Sequence, residues 1–140
     1  MDVYADKDWQ HLGTVKEDGA LYAEGTWCFN NNDRGRVCQA TGTNSNAGNY
    51  NPIGADPTCP FPSGILGQLV RQSGSTIEGY GVCFHLKAGE PLILRINDGD
   101  LTDNVGYLTL RFVPSSVSAA NNERLNYDSA GASGEYWIQG

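Results

Sequence analysis

The chain has 140 residues, a mass of 15.1 kDa and a formal net charge of −7, which fits one folded domain with one core. It contains 18 glycines and 6 prolines but only 18% charged residues, a composition that disfavours long helices and favours an all-β fold. The acidic balance and the scattered basic residues offer no surface for nucleic acid or an anionic bilayer. We therefore expect neither nucleic-acid binding nor membrane insertion.

The N-terminal half predicts strands near Asp2–Gln10, Leu12–Lys16 and Ala20–Phe29, with Asp18-Gly19 as a hairpin turn between the last two. A segment rich in Asn, Gly and Thr follows, over Asn30–Thr58, and has almost no hydrophobic periodicity. Loops of this length in a compact domain are commonly binding loops.

The four cysteines are even in number and lack the C-x-x-C spacing of zinc sites; they are Cys28, Cys38, Cys59 and Cys83. This pattern favours one or two disulfides in a secreted or cell-surface protein. Free buried thiols are the alternative. We expect any export signal to lie outside the present sequence, because Met1 is followed by acidic residues rather than by a basic and then apolar stretch.

The C-terminal half predicts three alternating strands at Tyr80–Lys87, Leu92–Asn97 and Tyr107–Val113, arranged as a meander, and a shorter strand at Gly67–Gln72. Their inward triplets would form half of a sandwich core: Val82, Phe84 and Leu86; Leu92, Leu94 and Ile96; and Leu108, Leu110 and Phe112.

The domain organisation predicted from this pattern is a β-sandwich over residues 1–114 and a C-terminal extension over 115–140. The extension is rich in Ser, Ala and Asn and ends in a segment, 135–138, that suits a returning edge strand. Trp137, within that segment, is either a core residue or an aromatic that stacks on a sugar or partner.

An acidic loop follows the strand at Leu92–Asn97. Five oxygen-bearing side chains fall within eight residues: Asn97, Asp98, Asp100, Asp103 and Asn104. Carboxylates so close together repel one another unless a cation neutralises them, and hard oxygen ligands at flexible spacing favour Ca²⁺ over zinc or Mg²⁺. The spacing is not that of an EF-hand. A plain solvated turn is the alternative.

The run Leu92–Phe112, with Asn97-Asp98 and then Asp103-Asn104-Val105-Gly106, resembles the calcium-dependent galactose-binding bacterial lectins of the LecA, or PA-IL-like, type. Weaker similarities precede it, in the same order as in that family: Trp9-Gln10 with Gly13, Gly25-Thr26-Trp27, and Gly67-Gln68-Leu69-Val70. The resemblance implies a jelly-roll-like antiparallel sandwich of the galactose-binding-domain kind. The sequence leaves open whether the protein forms a homo-oligomer.

The resemblance also implies a site. Ca²⁺ would be held by the side chains of Asp98, Asp103 and Asn104 and by backbone carbonyls near Asp100 and Asn30. Sugar hydroxyls would complete the metal shell and bond to Asp98 and Asp103, since diol oxygens can replace water on an oxygen-ligated Ca²⁺.

Two departures from the family bear on the sugar. Asp103 stands where the family usually has Asn, and the family's His-Pro…Gln sugar contact is absent. Part of the segment Asn44–Thr58 takes its place, and Asn49, Tyr50 and Asn51 are the contacts we predict there. A preference for galactose is therefore not carried over.

The sequence lacks the motifs of serine hydrolases, zinc proteases and phosphate loops. A glycosidase would need a second carboxylate across a cleft from Asp98, and nothing selects Asp56, Glu78 or Glu90 for that role. The prediction is a non-catalytic, Ca²⁺-dependent carbohydrate-binding module. The alternative is a Ca²⁺-stabilised structural or adhesion module of a larger exported protein, without a sugar site.

Overall fold

The structure is a computed structural model, which describes residues 1–30, 36–43, 53–115 and 136–139. These residues form strands, turns and loops and contain no helix, so none of them forms an apolar helix able to cross a membrane. The strands are β1 (Asp2–Tyr4), β2 (Gln10–Val15), β3 (Gly19–Glu24), β4 (Trp27–Asn30), β5 (Arg36–Cys38), β6 (Leu69–Ser73), β7 (Thr76–Gly79), β8 (Phe84–Leu86), β9 (Pro91–Ile96), β10 (Val105–Pro114) and β11 (Ile138–Gln139).

The strands form two antiparallel sheets. Sheet one has the order β5-β4-β10-β3-β8, with β1 also paired to β10, and sheet two has the order β11-β2-β9-β6-β7. Apolar side chains from both sheets share one buried core, which includes Leu21, Trp27 and Leu108 from sheet one and Leu69 and Leu94 from sheet two. The predicted all-β antiparallel sandwich is confirmed, and the arrangement is compatible with a jelly roll.

β3 and β4 act as one long strand against β10. Glu24 pairs with Thr109 and Trp27 pairs with Gly106, so the register is the same on both sides of the break at Gly25. Gly25 has a φ of +97°, a conformation that favours glycine. This long pairing carries β4 to the start of β10, directly beside the acidic loop.

Two of the three predicted inward triplets are confirmed, since those of β9 and β10 are buried. The prediction that Val82 points inward is wrong: this residue is 81% exposed, because the strand begins only at Phe84. The meander is also wrong, since β8 and β10 belong to sheet one and β9 lies between β2 and β6 in sheet two. The chain therefore crosses the sandwich between β8 and β9 and again between β9 and β10.

The N-terminal strand predictions need two corrections. The predicted strand Asp2–Gln10 is only β1, and a turn separates it from β2. Asp18-Gly19 is not a hairpin turn, because β2 lies in sheet two and β3 in sheet one. The Asp18 carboxylate accepts a hydrogen bond from the Ala88 N–H at 2.8 Å, which fixes this crossing.

The C-terminal segment returns to the sandwich as β11, which pairs with β2 at the edge of sheet two. Trp137 is buried and stacks on Phe112, with 4.9 Å between ring centroids and 9° between ring planes. Its assignment to sugar or partner stacking is therefore wrong, and it is a core residue.

The predicted disulfides are absent: all four cysteines lie in the described residues and all are free thiols. Cys38 pairs with Trp27 across β4 and β5, whereas Cys28 pairs with Val37. Neighbouring strand residues point to opposite faces, so these two thiols face away from each other. Burial raises the pKa of Cys38 to about 12 and also raises that of Cys59. The cysteines therefore give no support to the prediction of a secreted or cell-surface protein.

Candidate metal centre

The acidic loop begins at a buried anchor, Asn97, directly after β9. Its side-chain oxygen accepts the Phe61 N–H at 2.9 Å, and its amide nitrogen donates to the carbonyls of Phe61 at 2.9 Å and Ile65 at 3.0 Å. The side chain is thus fully engaged in holding the 61–65 segment. Asn97, one of the five oxygen-bearing residues of the acidic loop, is therefore a structural anchor.

Arg95 holds the other side of the same loop. Its guanidinium donates to the Asp98 carbonyl at 2.7 Å and to the Ile96 carbonyl at 2.9 Å, and it forms an ion pair with Asp8 at 2.6 Å. The ring of Trp9 lies 5.7 Å from the guanidinium carbon. Because Arg95 binds the main-chain oxygen of Asp98, the carboxylate of that residue is not neutralised by this contact.

Three predicted ligands present oxygen atoms that are buried and have no hydrogen-bond partner among the described residues. They are Asp98 Oδ2, Asp103 Oδ1 and Asn104 Oδ1. Asp98 and Asn104 are only 8% and 3% exposed. Leaving such an acceptor unpaired costs on the order of 1–3 kcal/mol, so three in one loop favour a site for a group that pairs with them.

The pKa of Asp98 depends on its burial and on the charged side chains near it. Burial raises the pKa of Asp98, and the nearby charges of Asp103 and Asp100 raise it further. The Asp100 N–H, 3.1 Å from Asp98 Oδ1, and the side chain of Asn104 lower it in part. A cation bound among these oxygens would oppose both effects, because it stabilises the charged carboxylate.

Asn104 is held in place by its own amide nitrogen, which donates to the Ala5 carbonyl at 2.9 Å. This bond fixes the plane of the amide and leaves Oδ1 as the unpaired atom. The main chain after Ala5 is in turn tied to β10, since the Ala5 N–H donates to the Gly106 carbonyl at 3.0 Å. The predicted ligand is therefore rigidly oriented.

Asp100 and Asn30 were predicted to contribute backbone carbonyls. The exposed Asp100 carboxylate accepts bonds from the N–H and hydroxyl of Thr102, at 3.0 and 2.6 Å, and these bonds lower its pKa. Asn30 ends β4, two residues beyond Cys28, the last residue of β4 that pairs with β10. The predicted sugar contacts Asn49, Tyr50 and Asn51 lie outside the described residues.

A second loop packs beside the acidic one. A Cβ at Gly99 would collide with the side chain of Thr58, so glycine is what lets the two loops approach. Asp56 accepts hydrogen bonds from both the N–H and the hydroxyl of Thr58, and these bonds lower its pKa. The carboxylate of Asp56 is therefore occupied within its own turn.

Arg95 and Ala5 were not anticipated as parts of the site. Glu78 and Glu90, the other carboxylates considered beside Asp98, both contact Arg71 instead. Within the described residues, no three side chains drawn from His, Cys, Asp and Glu are grouped as a metal site. The ligand set predicted here is not such a group, because it consists of two carboxylates, one amide and main-chain oxygens.

The chain matches no protein-family model, no curated protein and no solved structure. The resemblance to galactose-binding lectins therefore stays a prediction that depends on the residues quoted for it. What the fold and the loop define on their own is an antiparallel β-sandwich with a rigid, oxygen-rich and charge-imbalanced site at one end of β10.

Proposed function

We propose that the protein binds Ca²⁺ through Asp98, Asp103 and Asn104, and binds carbohydrate through that ion without catalysis. The observation that carries the proposal is the set of three buried, unpartnered oxygens on these residues. Two carboxylates and an amide are hard ligands suited to Ca²⁺. The backbone carbonyls near Asp100 and Asn30 would complete the protein's share of the shell.

The carbohydrate part of the proposal has separate support. It comes from the resemblance of residues 92–112 to the lectin family and from the chemistry of an ion whose remaining positions can accept sugar hydroxyls. Affinity for a single sugar should be modest, because a small polar ligand gains little from apolar burial. The predicted location, secreted or at the cell surface, suits weak Ca²⁺ sites of extracellular modules.

A Ca²⁺-stabilised structural module is the second candidate, and one observation favours it. The three unpartnered oxygens are inaccessible to solvent, and an ion wholly enclosed by protein offers no position to a sugar. The two candidates share the metal and differ in whether the ion reaches the surface.

A glycan array tests the proposed function, run once with Ca²⁺ and once with a chelator. The lectin predicts binding to a subset of glycans that disappears with the chelator. The Asp98→Asn variant, which keeps the side-chain shape, should give the same silent array in Ca²⁺. Ca²⁺-dependent thermal stabilisation with a silent array would instead establish the structural module.

A further inference from the structure

Exposed apolar side chains are concentrated beside the candidate metal centre. Among the described residues, four large hydrophobic side chains are exposed, and three of them share one patch on sheet one. These are Tyr4, Val105 and Tyr107, at 39%, 47% and 50% exposure. An apolar patch with a polar rim is the kind of surface that interaction sites use.

The two tyrosines form a rigid pair. Tyr4 is the register partner of Tyr107 across β1 and β10, and their ring centroids are 5.7 Å apart. The side chain of Gln10 brackets the main chain of Tyr4, accepting its N–H at 2.8 Å and donating to its carbonyl at 3.0 Å. Lys7 places its ammonium 5.1 Å from the Tyr4 ring centre. Little freedom would be lost when this surface binds a ligand.

The pair is continuous with the acidic loop. Ala5, the residue after Tyr4, accepts the hydrogen bond from the Asn104 side chain. Asn104 directly precedes β10, and Tyr107 is the third residue of that strand. Three residues of chain span at most about 10 Å, close to the length of a disaccharide. Leu108 is buried and Tyr107 is exposed, so the tyrosine ring is on the outer face of the sheet.

We infer that the Tyr4–Tyr107 pair is a second carbohydrate subsite, which stacks on the sugar ring next to the one bound at Ca²⁺. This inference rests on the proposed function. A pyranose ring has a face of C–H groups that packs on an aromatic ring, and the phenol hydroxyl can bond to hydroxyls at the rim. The ligand class is therefore an oligosaccharide rather than a single monosaccharide.

The patch is too small for another protein chain of ordinary affinity. Each partner of a standard protein interface buries roughly 800 Å², whereas this patch consists of three half-exposed side chains. Charged residues flank it: Asp2 at the register position of Thr109, and Glu24 in an ion pair with Arg111. A neutral ring with hydroxyls at its edge fits this surface better than an apolar protein face.

The test is a printed array of defined mono-, di- and oligosaccharides, probed in Ca²⁺ with the intact chain and three variants. The first variant carries Tyr4→Thr and Tyr107→Thr together, since threonine suits an exposed strand position. Tyr22→Thr is the matched control, because Tyr22 lies in the same sheet but is only partly exposed and pairs with Arg111 rather than with another tyrosine. The third variant, Asp98→Asn, tests whether binding depends on the proposed metal site.

The inference predicts that the intact chain prefers di- and oligosaccharides to their terminal monosaccharides. The double variant should lose at least tenfold in affinity for the longer glycans, while its Ca²⁺-dependent rise in melting temperature and its monosaccharide binding are unchanged. Tyr22→Thr should match the intact chain. If the double variant does not fold, Tyr107→Thr alone is measured in the same way.

Equal binding by the double variant, or equal affinity for monosaccharides and longer glycans, would overturn the inference and leave the proposed function intact. A silent array for the intact chain in Ca²⁺ would overturn both. Conversion of a dimer to a monomer by the double variant, measured by light scattering, would assign the patch to self-association and also overturn the inference.

Discussion

The Arg71 cluster in sheet two and the acidic loop after β9 both contain buried charged groups, but only in the first does a guanidinium contact the carboxylates, because Arg95 binds the main-chain oxygen of Asp98. The buried guanidinium of Arg71 is 2.7 Å from a carboxylate oxygen of Glu78 and 3.1 Å from one of Glu90. In the acidic loop, the buried oxygens of Asp98 and Asp103 have no partner among the described residues. The charges of the first cluster are paired within the fold, although two Arg71 nitrogens have no hydrogen-bond partner among the described residues. We propose that an added cation pairs the charges of the second.

The difference shows that a buried charge is evidence of a binding site when its counter-charge is missing from the fold. An ion pair within the fold is common and gives little evidence of function. Unpaired carboxylates held by the bonds of Arg95 and Asn104 are costly in the absence of a ligand. The two clusters should accordingly respond in opposite ways when one charge is removed.

The largest effect is expected for Arg71→Leu. Removing a buried guanidinium leaves the carboxylates of Glu78 and Glu90 without their partner, and the loss in the free energy of unfolding should be about 2–3 kcal/mol. Chemical denaturation measures it. Glu78→Gln is the control, since that carboxylate is half-exposed and its removal should cost less than about 1 kcal/mol. Equal losses in the two variants would show that Arg71 is not the centre of this cluster.

A smaller effect of opposite sign is expected for Asp98→Asn in chelator at pH 7. One oxygen of the buried carboxylate, Oδ2, has no partner among the described residues. Replacing the carboxylate by a neutral amide should therefore raise the free energy of unfolding by about 1 kcal/mol. A decrease in that free energy would mean that the carboxylate is satisfied within the fold, and that the contrast with Arg71 does not exist.

The pH dependence of stability in the intact chain and in Asp98→Asn tests the sign of this effect. Because the pKa of Asp98 is raised in the folded chain, the contribution of this residue to stability is full below its unfolded value and is lost as pH rises through the raised one. In chelator, the stability of the intact chain relative to Asp98→Asn should therefore fall between about pH 4 and neutral pH. In Ca²⁺ the trend should reverse, because the ion keeps the carboxylate charged. Thermal unfolding over that range measures both trends.

The smallest effect on stability is expected in the predicted sugar-contact segment. Alanine at Asn49, Tyr50 and Asn51 should change the free energy of unfolding by no more than about 0.5 kcal/mol each and leave the Ca²⁺ response intact, because none of these residues is a proposed ligand. Glycan binding on the array should fall. Undiminished glycan binding would refute the placement of sugar contacts in this segment.

The sequence predicted most of what depends on local pattern. The alternating triplets of β9 and β10 are buried as expected, because side chains in a strand alternate between faces. The partners of these strands were not predictable: Asp18-Gly19 has the chemistry of a hairpin turn whether the chain stays in one sheet or crosses to the other. Val82 fits the alternation equally well but precedes the strand.

The same limit applies to the site. The crowding of five oxygen-bearing side chains between Asn97 and Asn104 is visible in the sequence and predicted a cation. The family resemblance then named Asp98, Asp103 and Asn104 as the side-chain ligands. The side chain of Asn97 bonds to residues 32 and 36 positions away, and Arg95 pairs with Asp8 across 87 positions. Contacts over such separations leave no trace in local spacing, so the rigidity of the loop could be learned only from the fold.

The measurement that tests the central claim most directly is the melting temperature of the intact chain, Asp98→Asn and Arg71→Leu, each in Ca²⁺ and in chelator. At a Ca²⁺ concentration 100 times the dissociation constant, binding to the folded state alone should stabilise the intact chain by about 2.7 kcal/mol. Arg71→Leu should keep this gain despite its lower stability, and Asp98→Asn should show none. A gain of equal size in Asp98→Asn, or no gain in the intact chain, would contradict the metal site.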